Sequence, residues 1–183
     1  MPPTTSEIEI TDIQMRLEPG QGRVAFQPLV ERLRAGVTSD AFGKIALTGL
    51  GLMAGRLPVD LELTSAQLVD GGAELVARVK KSFLKADLRV RLAFSVVDPA
   101  TVRVRIADLD GPAWIPTQFV IENAMTVAAA KPGFTRVPDD ERAIDLNPAT
   151  VIASRGVPLT LATPGAWRID ATAAVLQIAY AAG

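Results

Sequence analysis

The most regular pattern in the chain lies at residues 86–96, which read Ala86-Asp87-Leu88-Arg89-Val90-Arg91-Leu92-Ala93-Phe94-Ser95-Val96. Every second side chain of this stretch is apolar, and those between them are mostly charged or polar. A period of two residues is typical of a strand with one buried face and one face in water. The stretch therefore predicts a long, half-buried strand around which the rest of the fold is arranged.

Similar alternation on both sides of this strand predicts an antiparallel meander. Shorter alternating runs occupy residues 57–63, 73–79 and 102–106, with turn sequences at Asp70-Gly71-Gly72 and at Asp98 to Thr101 between them. Turns this short can join antiparallel strands but are too short for parallel crossovers. Residues 45–52 are interpreted as strand leading into this meander.

Outside the meander, the pattern predicts three helices and two further strand regions. A short helix is predicted to begin at Pro28 and end near Gly36, a long one to occupy residues 116–130, and another short one to follow Pro148. Residues 7–17 are predicted to form a strand with a bulge near Thr11. The C-terminus is predicted to form a hairpin whose turn is Thr163-Pro164-Gly165.

These elements define an α+β fold in a single domain, residues 1–183. We expect an antiparallel, strongly curved β-meander wrapped around the central helix 116–130, with two shorter helices beside it. The length of 183 residues fits one domain of ordinary size that needs no disulfide or metal to fold.

Two absences from the composition restrict the chemistry. The chain contains neither histidine nor cysteine, which excludes His-dependent nucleophilic catalysis, thiol chemistry and zinc-thiolate sites. Its acidic pairs, such as Asp108 with Asp110, flank turns and lack the spacing of a calcium-binding loop. We therefore expect no enzyme, no metal site and no cofactor, and an enzyme using carboxylates alone is the least favoured alternative.

Charge is distributed unevenly along the chain, although the formal net charge is only −1. This balance disfavours a dedicated nucleic-acid binder. Between Glu74 and Arg105, however, basic residues outnumber acidic ones. The period of two places five of them on the polar face of one hairpin: Lys85, Arg89, Arg91, Arg103 and Arg105. One interpretation is a solvated exterior, neutralised by Glu7, Glu9 or Asp12; the other is a surface that binds an anionic membrane or partner.

The opposite face of the same strands is aliphatic, and the predicted helix 116–130 faces it with many alanines. One interpretation is an ordinary packed core. The other is an apolar cavity between sheet and helix, of the kind that binds lipids. The side chains predicted to line such a cavity are Leu88, Val90, Leu92, Phe94, Val104, Phe119, Val120 and Met125.

The order of these elements resembles that of the bacterial tubular lipid-binding (TULIP-like) proteins, and most closely their LmeA-like phospholipid-binding group. The resemblance lies in the N-terminal strand, the short helix after it, the meander, the proline-initiated helix and a terminal hairpin entered by Gly156-Val157-Pro158-Leu159. It implies a curved sheet around a long helix and an apolar groove for acyl chains.

The leading hypothesis is thus a non-enzymatic protein that binds or transports an apolar ligand, with a lipid as the first choice. The alternative is an interaction or assembly module with a filled core, which docks partners or further copies of itself through a basic face or an edge strand. No signal-peptide pattern occurs at the N-terminus, and no apolar run approaches the ~20 residues that span a bilayer. The expected location is the cytoplasm.

Overall fold

A computed structural model describes residues 8–19, 26–54, 60–154 and 160–183, and it shows an α+β fold with mostly antiparallel sheets. Three helices lie in these ranges: α1 (Ser39–Ala54), α2 (Thr117–Ala129) and α3 (Pro148–Ser154). In chain order the strands are β1 (Ile8–Pro19), β2 (Phe26–Thr38), β3 (Asp60–Val69), β4 (Gly72–Lys81), β5 (Leu84–Asp98), β6 (Thr101–Asp110), β7 (Phe134–Val137), β8 (Asp140–Leu146), β9 (Thr160–Leu161), β10 (Gly165–Ala171) and β11 (Val175–Ala182).

The strands form two sheets within these described ranges. The first has the order β1-β2-β11-β10, and β9 adds to β2 in the one parallel pairing. The second has the order β3-β4-β5-β6-β8-β7 and is antiparallel throughout. The predicted meander is the β3–β6 part of this second sheet, with turns at Asp70-Gly71 and Pro99-Ala100 as predicted.

Helix α2 also lies where the sequence predicted it. Pro116 lies directly before the first residue of α2 and has an extended backbone conformation. Proline is tolerated at the start of a helix but not in its interior, so this position agrees with the prediction. Val120, Ile121 and Met125 are buried, and they pack with side chains of β5, β6 and β8. The helix therefore covers the apolar face of the second sheet.

The helix predicted from Pro28 to Gly36 is wrong, because this segment is strand β2, hydrogen-bonded to β1 and β11. Gln14 pairs with Arg32 and the next residue, Met15, pairs with Val30, so Glu31 is an extra residue in the ladder. This bulge puts Val30 and Leu33 on the same buried face although they are three residues apart. Their spacing therefore imitates that of a helix.

The interpretation of residues 45–52 as strand is also wrong, because they belong to α1. The Thr38 hydroxyl accepts a hydrogen bond from the Ala41 amide at 3.3 Å, which caps the first turn of the helix. A Cβ atom at Gly43 would be 3.4 Å from the Ala66 carbonyl oxygen, which is an ordinary van der Waals distance, so α1 lies directly against β3. The helix forms although Gly43 lowers its intrinsic helix propensity.

Three smaller features concern strands at the ends of the chain and in the second sheet. The bulge predicted near Thr11 is present, since the β1–β2 register shifts between Ile10 and Asp12. The predicted C-terminal hairpin with its turn at Thr163-Pro164-Gly165 is wrong: β9 pairs with β2, and the hairpin is formed by β10 and β11, which divide the predicted strand 167–180. Strand β7, which is only four residues long, was not predicted from the sequence.

Several sequence interpretations fall outside the described residues. They are the start of the N-terminal strand at Glu7, the first residues of the predicted strand 57–63, and the Gly156 to Leu159 entry to the hairpin.

The two sheets share buried side chains. One cluster joins Val37 of β2, Ala41 of α1, Leu68 of β3 and Ala73 of β4 with Ala171 and Leu176 of the terminal hairpin. Another joins Val30 and Leu33 with Val102 of β6 and with Trp167 and Tyr180, whose ring centroids are 5.1 Å apart. The Trp167 amide also donates a hydrogen bond to the Pro99 carbonyl at 3.0 Å. These contacts hold the first sheet against one end of the second.

Candidate ligand-binding cavity

A cavity of about 320 Å³ lies between the second sheet and helix α2. Strands β3 to β6 and β8 contribute aliphatic side chains to its wall, and α2 contributes the opposite side. The segment before α2 adds Trp114, Ile115 and Pro116. Among the described residues that line the cavity, Lys81 is the one charged residue and all the others are apolar.

The structure brings seven of the eight predicted lining residues around this cavity: Leu88, Val90, Leu92, Val104, Phe119, Val120 and Met125. The period of two in β5 and the helical spacing in α2 were sufficient to place them on facing surfaces. Phe119 is still 40% exposed while it lines the cavity. Part of the Phe119 side chain is therefore in contact with solvent while the residue lines the cavity.

Phe94 is the exception among the predicted residues. It has the same parity on β5 as Leu92, but it lies two residues further along the strand. There it packs against the cluster of Val37, Ala41 and Leu68 that joins the two sheets. Its predicted placement at the cavity is wrong. Alternation along a strand shows on which face of the sheet a side chain lies, but it does not show which element packs on that face.

Several cavity residues were not among the predicted ones. Leu61 and Leu63 of β3, and Leu75, Ala77 and Val79 of β4, complete the sheet wall. Their alternation was visible in the sequence and could have identified them. Ile115 could also have been identified, because the sequence places it with the apolar residues at the start of the predicted helix. Trp114 had no such signal, because it lies in an irregular segment before the helix.

Small side chains on both walls account for the empty space. Ala77 of β4 is buried, and Ala124 and Ala128 of α2 also line the cavity. Methyl groups at these positions leave a gap that leucine side chains would fill. At the margin, a Cβ on Gly111 would lie 2.6 Å from Leu88 Cδ1, so the chain packs tightly next to the cavity.

The predicted basic face is partly neutralised, but by different residues from those proposed. Arg103 donates to Asp145 through Nε (2.7 Å to Oδ1) and Nη2 (3.0 Å to Oδ2), and Arg105 Nε lies 2.8 Å from Asp140 Oδ2. Hydrogen bonding to Asp145 raises the pKa of Arg103, and hydrogen bonding to Arg105 lowers the pKa of Asp140. Both acidic partners lie on β8.

The carboxylates first considered as partners lie elsewhere. Glu9 and Asp12 are on β1, in the other sheet, where Asp12 Oδ2 is 3.8 Å from Arg32 Nη1. Glu7 lies outside the described residues. The interpretation of a neutralised exterior therefore holds for Arg103 and Arg105 with β8 as the source of negative charge.

The other predicted basic residues, Lys85, Arg89 and Arg91, make no ion pair within the described part of the chain. All three are exposed. The strand register nevertheless places Arg91 between Glu74 and Asp108, and Arg89 opposite Asp110. Carboxylates on neighbouring strands thus reduce the positive potential of this face.

Some of the acidic side chains near turns, which could serve catalysis or metal binding, accept hydrogen bonds within the fold. Asp108 accepts a hydrogen bond from the Leu109 amide at 2.9 Å, and Glu141 accepts one from Gln118 at 2.8 Å. Over the described ranges, no group of three or more acidic side chains is close enough together to hold a metal ion. The cavity is therefore the feature of this fold best suited to a ligand.

Comparisons with known proteins add no assignment. No family model matches the chain, and neither a curated protein nor a solved structure matches it. Among the helices described, none combines the length and the apolar character needed to cross a bilayer.

Proposed function

We propose that this protein is a non-enzymatic carrier or sensor of an apolar ligand, which it binds between the second sheet and helix α2. The observation that carries the proposal is the cavity of about 320 Å³, whose described lining is apolar except at Lys81. Ligand pockets in proteins fall in the range of roughly 300–1,000 Å³ and are mostly apolar. An ordinary packed core contains few voids larger than a water molecule.

The chemistry of the wall favours a lipid acyl chain. Because the described wall residues carry almost no hydrogen-bonding side chains, they offer little to orient a polar ligand. A cavity at the lower end of the usual size range suits a single chain better than a complete two-chain lipid. Lys81 at the edge supplies one ammonium group, which matches the carboxylate or phosphate of an anionic head group.

The fold we propose for this function is tubular, with the β3–β6 meander curving around α2 as in the bacterial tubular lipid-binding proteins that the chain resembles. The burial of Val120, Ile121 and Met125 against three strands supports this arrangement. The resemblance to the LmeA-like group is part of the same proposal.

A direct test is titration of the purified protein with a fluorescent fatty acid. We expect saturable binding at one site per chain, with displacement by an unlabelled fatty acid of similar length. The tryptophans provide a second signal, because Trp114 lines the cavity and Trp167 lies in a separate cluster. In a Trp167→Phe variant the ligand should change the emission of Trp114; no change and no saturable binding would contradict the proposal.

A second candidate function, assembly through an edge strand, is favoured by one observation on β1. This strand pairs only with β2 in the described residues, and it exposes Ile10, Ile13, Met15 and Leu17. An exposed apolar edge strand is a template for pairing with another chain. Light scattering tests this candidate: a concentration-dependent dimer that Met15→Lys abolishes would support it, and a monomer at all concentrations would exclude self-assembly.

A further inference from the structure

The β4–β5 turn combines an exposed aromatic side chain with a group of lysines. It reads Lys80-Lys81-Ser82-Phe83-Leu84-Lys85, with Ser82 and Phe83 at the turn. Phe83 is 87% exposed and Leu84 is 40% exposed. Among the large apolar side chains found exposed in the described ranges, Phe83 is the most accessible to solvent. Such exposure is costly in water and indicates an interaction site when it lies next to other apolar groups.

This turn lies at the end of the cavity. Val79 and Lys81, the last inward-facing residues of β4, line the cavity, and Lys81 pairs with Leu84 across the hairpin. The turn follows directly after Lys81. A binding partner that contacts Phe83 and Leu84 would therefore lie next to Lys81 and Val79 at the cavity wall.

We propose that the β4–β5 turn docks the protein on an anionic phospholipid bilayer, with Phe83 and Leu84 entering the interface. The biological role of this docking rests on the proposed function, since an apolar ligand would pass between the bilayer and the adjoining cavity. The docking itself requires no ligand.

The arrangement of charge at the turn favours a membrane as the occupant. Lys80 and Lys85 face each other across the hairpin, and Lys81 adds a third ammonium group on the other face. Lys80 Nζ lies 3.3 Å from Glu62 Oε2, and Asp60 is opposite Lys80 on β3, so acidic residues on β3 offset part of this charge. Lysines around an apolar tip suit anionic head groups above a hydrocarbon layer.

The shape of the turn also disfavours a protein partner. A stable protein interface buries on the order of 1,200–2,000 Å², whereas a two-residue turn with Phe83, followed by Leu84, presents a narrow tip. A bilayer needs no matching surface, because it takes up a single apolar side chain at any point. The tip also differs from the basic sheet face, where Arg103 and Arg105 are already paired with aspartates.

The test is co-sedimentation with vesicles of phosphatidylcholine alone and of phosphatidylcholine mixed with the anionic phosphatidylglycerol. The ligand-free protein should bind the anionic vesicles, and added salt should weaken the binding. Phe83→Ser should reduce the partition coefficient by about tenfold, because it removes a side chain that would be buried in the interface. Lys85→Gln should reduce it by about fivefold.

Matched controls separate the turn from general effects of charge and hydrophobicity. Leu17→Ser removes another strongly exposed apolar side chain on β1, and Lys131→Gln removes an exposed lysine after α2. Both should bind vesicles like the unmodified protein. The double variant Arg89→Gln with Arg91→Gln probes the sheet face and should bind within about twofold of it.

Three results would overturn the docking proposal: no binding of the unmodified protein to anionic vesicles, binding that Phe83→Ser leaves unchanged, or loss confined to the Arg89 and Arg91 variant. Fatty-acid titration without vesicles distinguishes this failure from failure of the proposed function. Phe83 is not among the described residues of the cavity wall, so Phe83→Ser should retain its ligand affinity. Ligand binding without docking would refute the docking alone, and docking without ligand binding would refute the proposed function alone.

Discussion

Arg103 on β6 and Asp145 on β8 face each other across the second sheet and share two hydrogen bonds, of 2.7 and 3.0 Å. This pair and its neighbour, Arg105 with Asp140, neutralise part of the positive charge between Glu74 and Arg105. Two of the eight basic residues in that stretch thus hold β6 to β8. Lys80, Lys81 and Lys85 lie at the β4–β5 turn beside the cavity, and Arg89 and Arg91 lie on the exposed face of the sheet.

Filling the cavity should abolish ligand binding without unfolding the protein. Ala124→Leu adds a larger side chain to the cavity wall from α2, so the affinity for a fatty acid should fall about tenfold or more, as expected when the occupied space is lost. The added side chain enters existing space, so stability should change by less than the ~1–3 kcal/mol typical of overpacking a filled core. Ala130→Leu, at the exposed C-terminal end of α2, is the control and should bind normally. Calorimetric titration and thermal unfolding measure both effects, and unchanged affinity in Ala124→Leu would place the ligand elsewhere.

The contact between the sheets should depend on Trp167. This side chain is buried in the cluster of Val30, Leu33 and Val102, and its ring lies beside that of Tyr180. Trp167→Ala should lower the free energy of unfolding by about 3–5 kcal/mol, as expected for a large aromatic side chain removed from a core. Trp114→Ala is the comparison. Trp114 is only partly buried and already borders empty space, so its removal should lower the free energy of unfolding by less. Equal losses in urea titrations would contradict this ranking.

Burial of Tyr180 should make the fold sensitive to alkaline pH. Its hydroxyl donates to the Ala162 carbonyl, and burial raises its pKa above the ordinary value of 10.0. The neutral form is therefore favoured in the fold, so its contribution to stability is complete below pH 10.0 and is lost as pH rises through the raised pKa. Tyr180→Phe should cost about 1–2 kcal/mol at neutral pH, because it leaves the Ala162 carbonyl without its donor. The cost should decrease above pH 10.0, and a pH-independent difference in urea titrations would refute this account.

The ion pair of Asp140 with Arg105 should stabilise the fold at neutral pH, and this stabilisation should be lost in acid. The hydrogen bond from Arg105 lowers the pKa of Asp140 below its ordinary value of 3.8. A lowered pKa means that the stabilisation is present above the unfolded value and is lost as pH falls through the folded one. Asp140→Asn should therefore cost up to about 1 kcal/mol at neutral pH, since Arg105 is half exposed.

Unfolding titrations from neutral pH to below 3.8 test this dependence on pH. The difference between Asp140→Asn and the unmodified protein should narrow in acid. Asp139→Asn, on the exposed turn next to it, should change little at any pH. A difference for Asp140→Asn that widens in acid would contradict the assignment of its pKa.

The parts of the fold that the sequence could predict are those with an undisturbed period. In β5, no bulge interrupts the run from Ala86 to Leu92 on the β4 side, so parity identified Leu88, Val90 and Leu92 as inward-facing. In β2, one extra residue at Glu31 shifts that parity and makes a strand look like a helix. A bulge depends on the pairing with β1, which is a long-range contact that no local pattern contains.

Tertiary contacts also decided the features that the sequence missed. The alternation that begins at Ile45 and Leu47 was misleading, because the cap at Thr38 and the packing of α1 against β3 favour the helix. Parity placed Phe94 on the correct face of β5 but could not show that the cluster around Val37 covers it. The emptiness of the cavity depends on the distance between α2 and the sheet, which composition does not determine.

The most direct test of the central claim is solvent extraction and mass spectrometry of the purified protein, together with a fluorescent fatty-acid titration of the delipidated chain. The account predicts a co-purifying apolar molecule, lost in Ala124→Leu and retained in Ala130→Leu, and saturable rebinding at one site per chain. No co-purifying apolar molecule together with no fatty-acid binding would contradict the claim that this cavity holds a ligand.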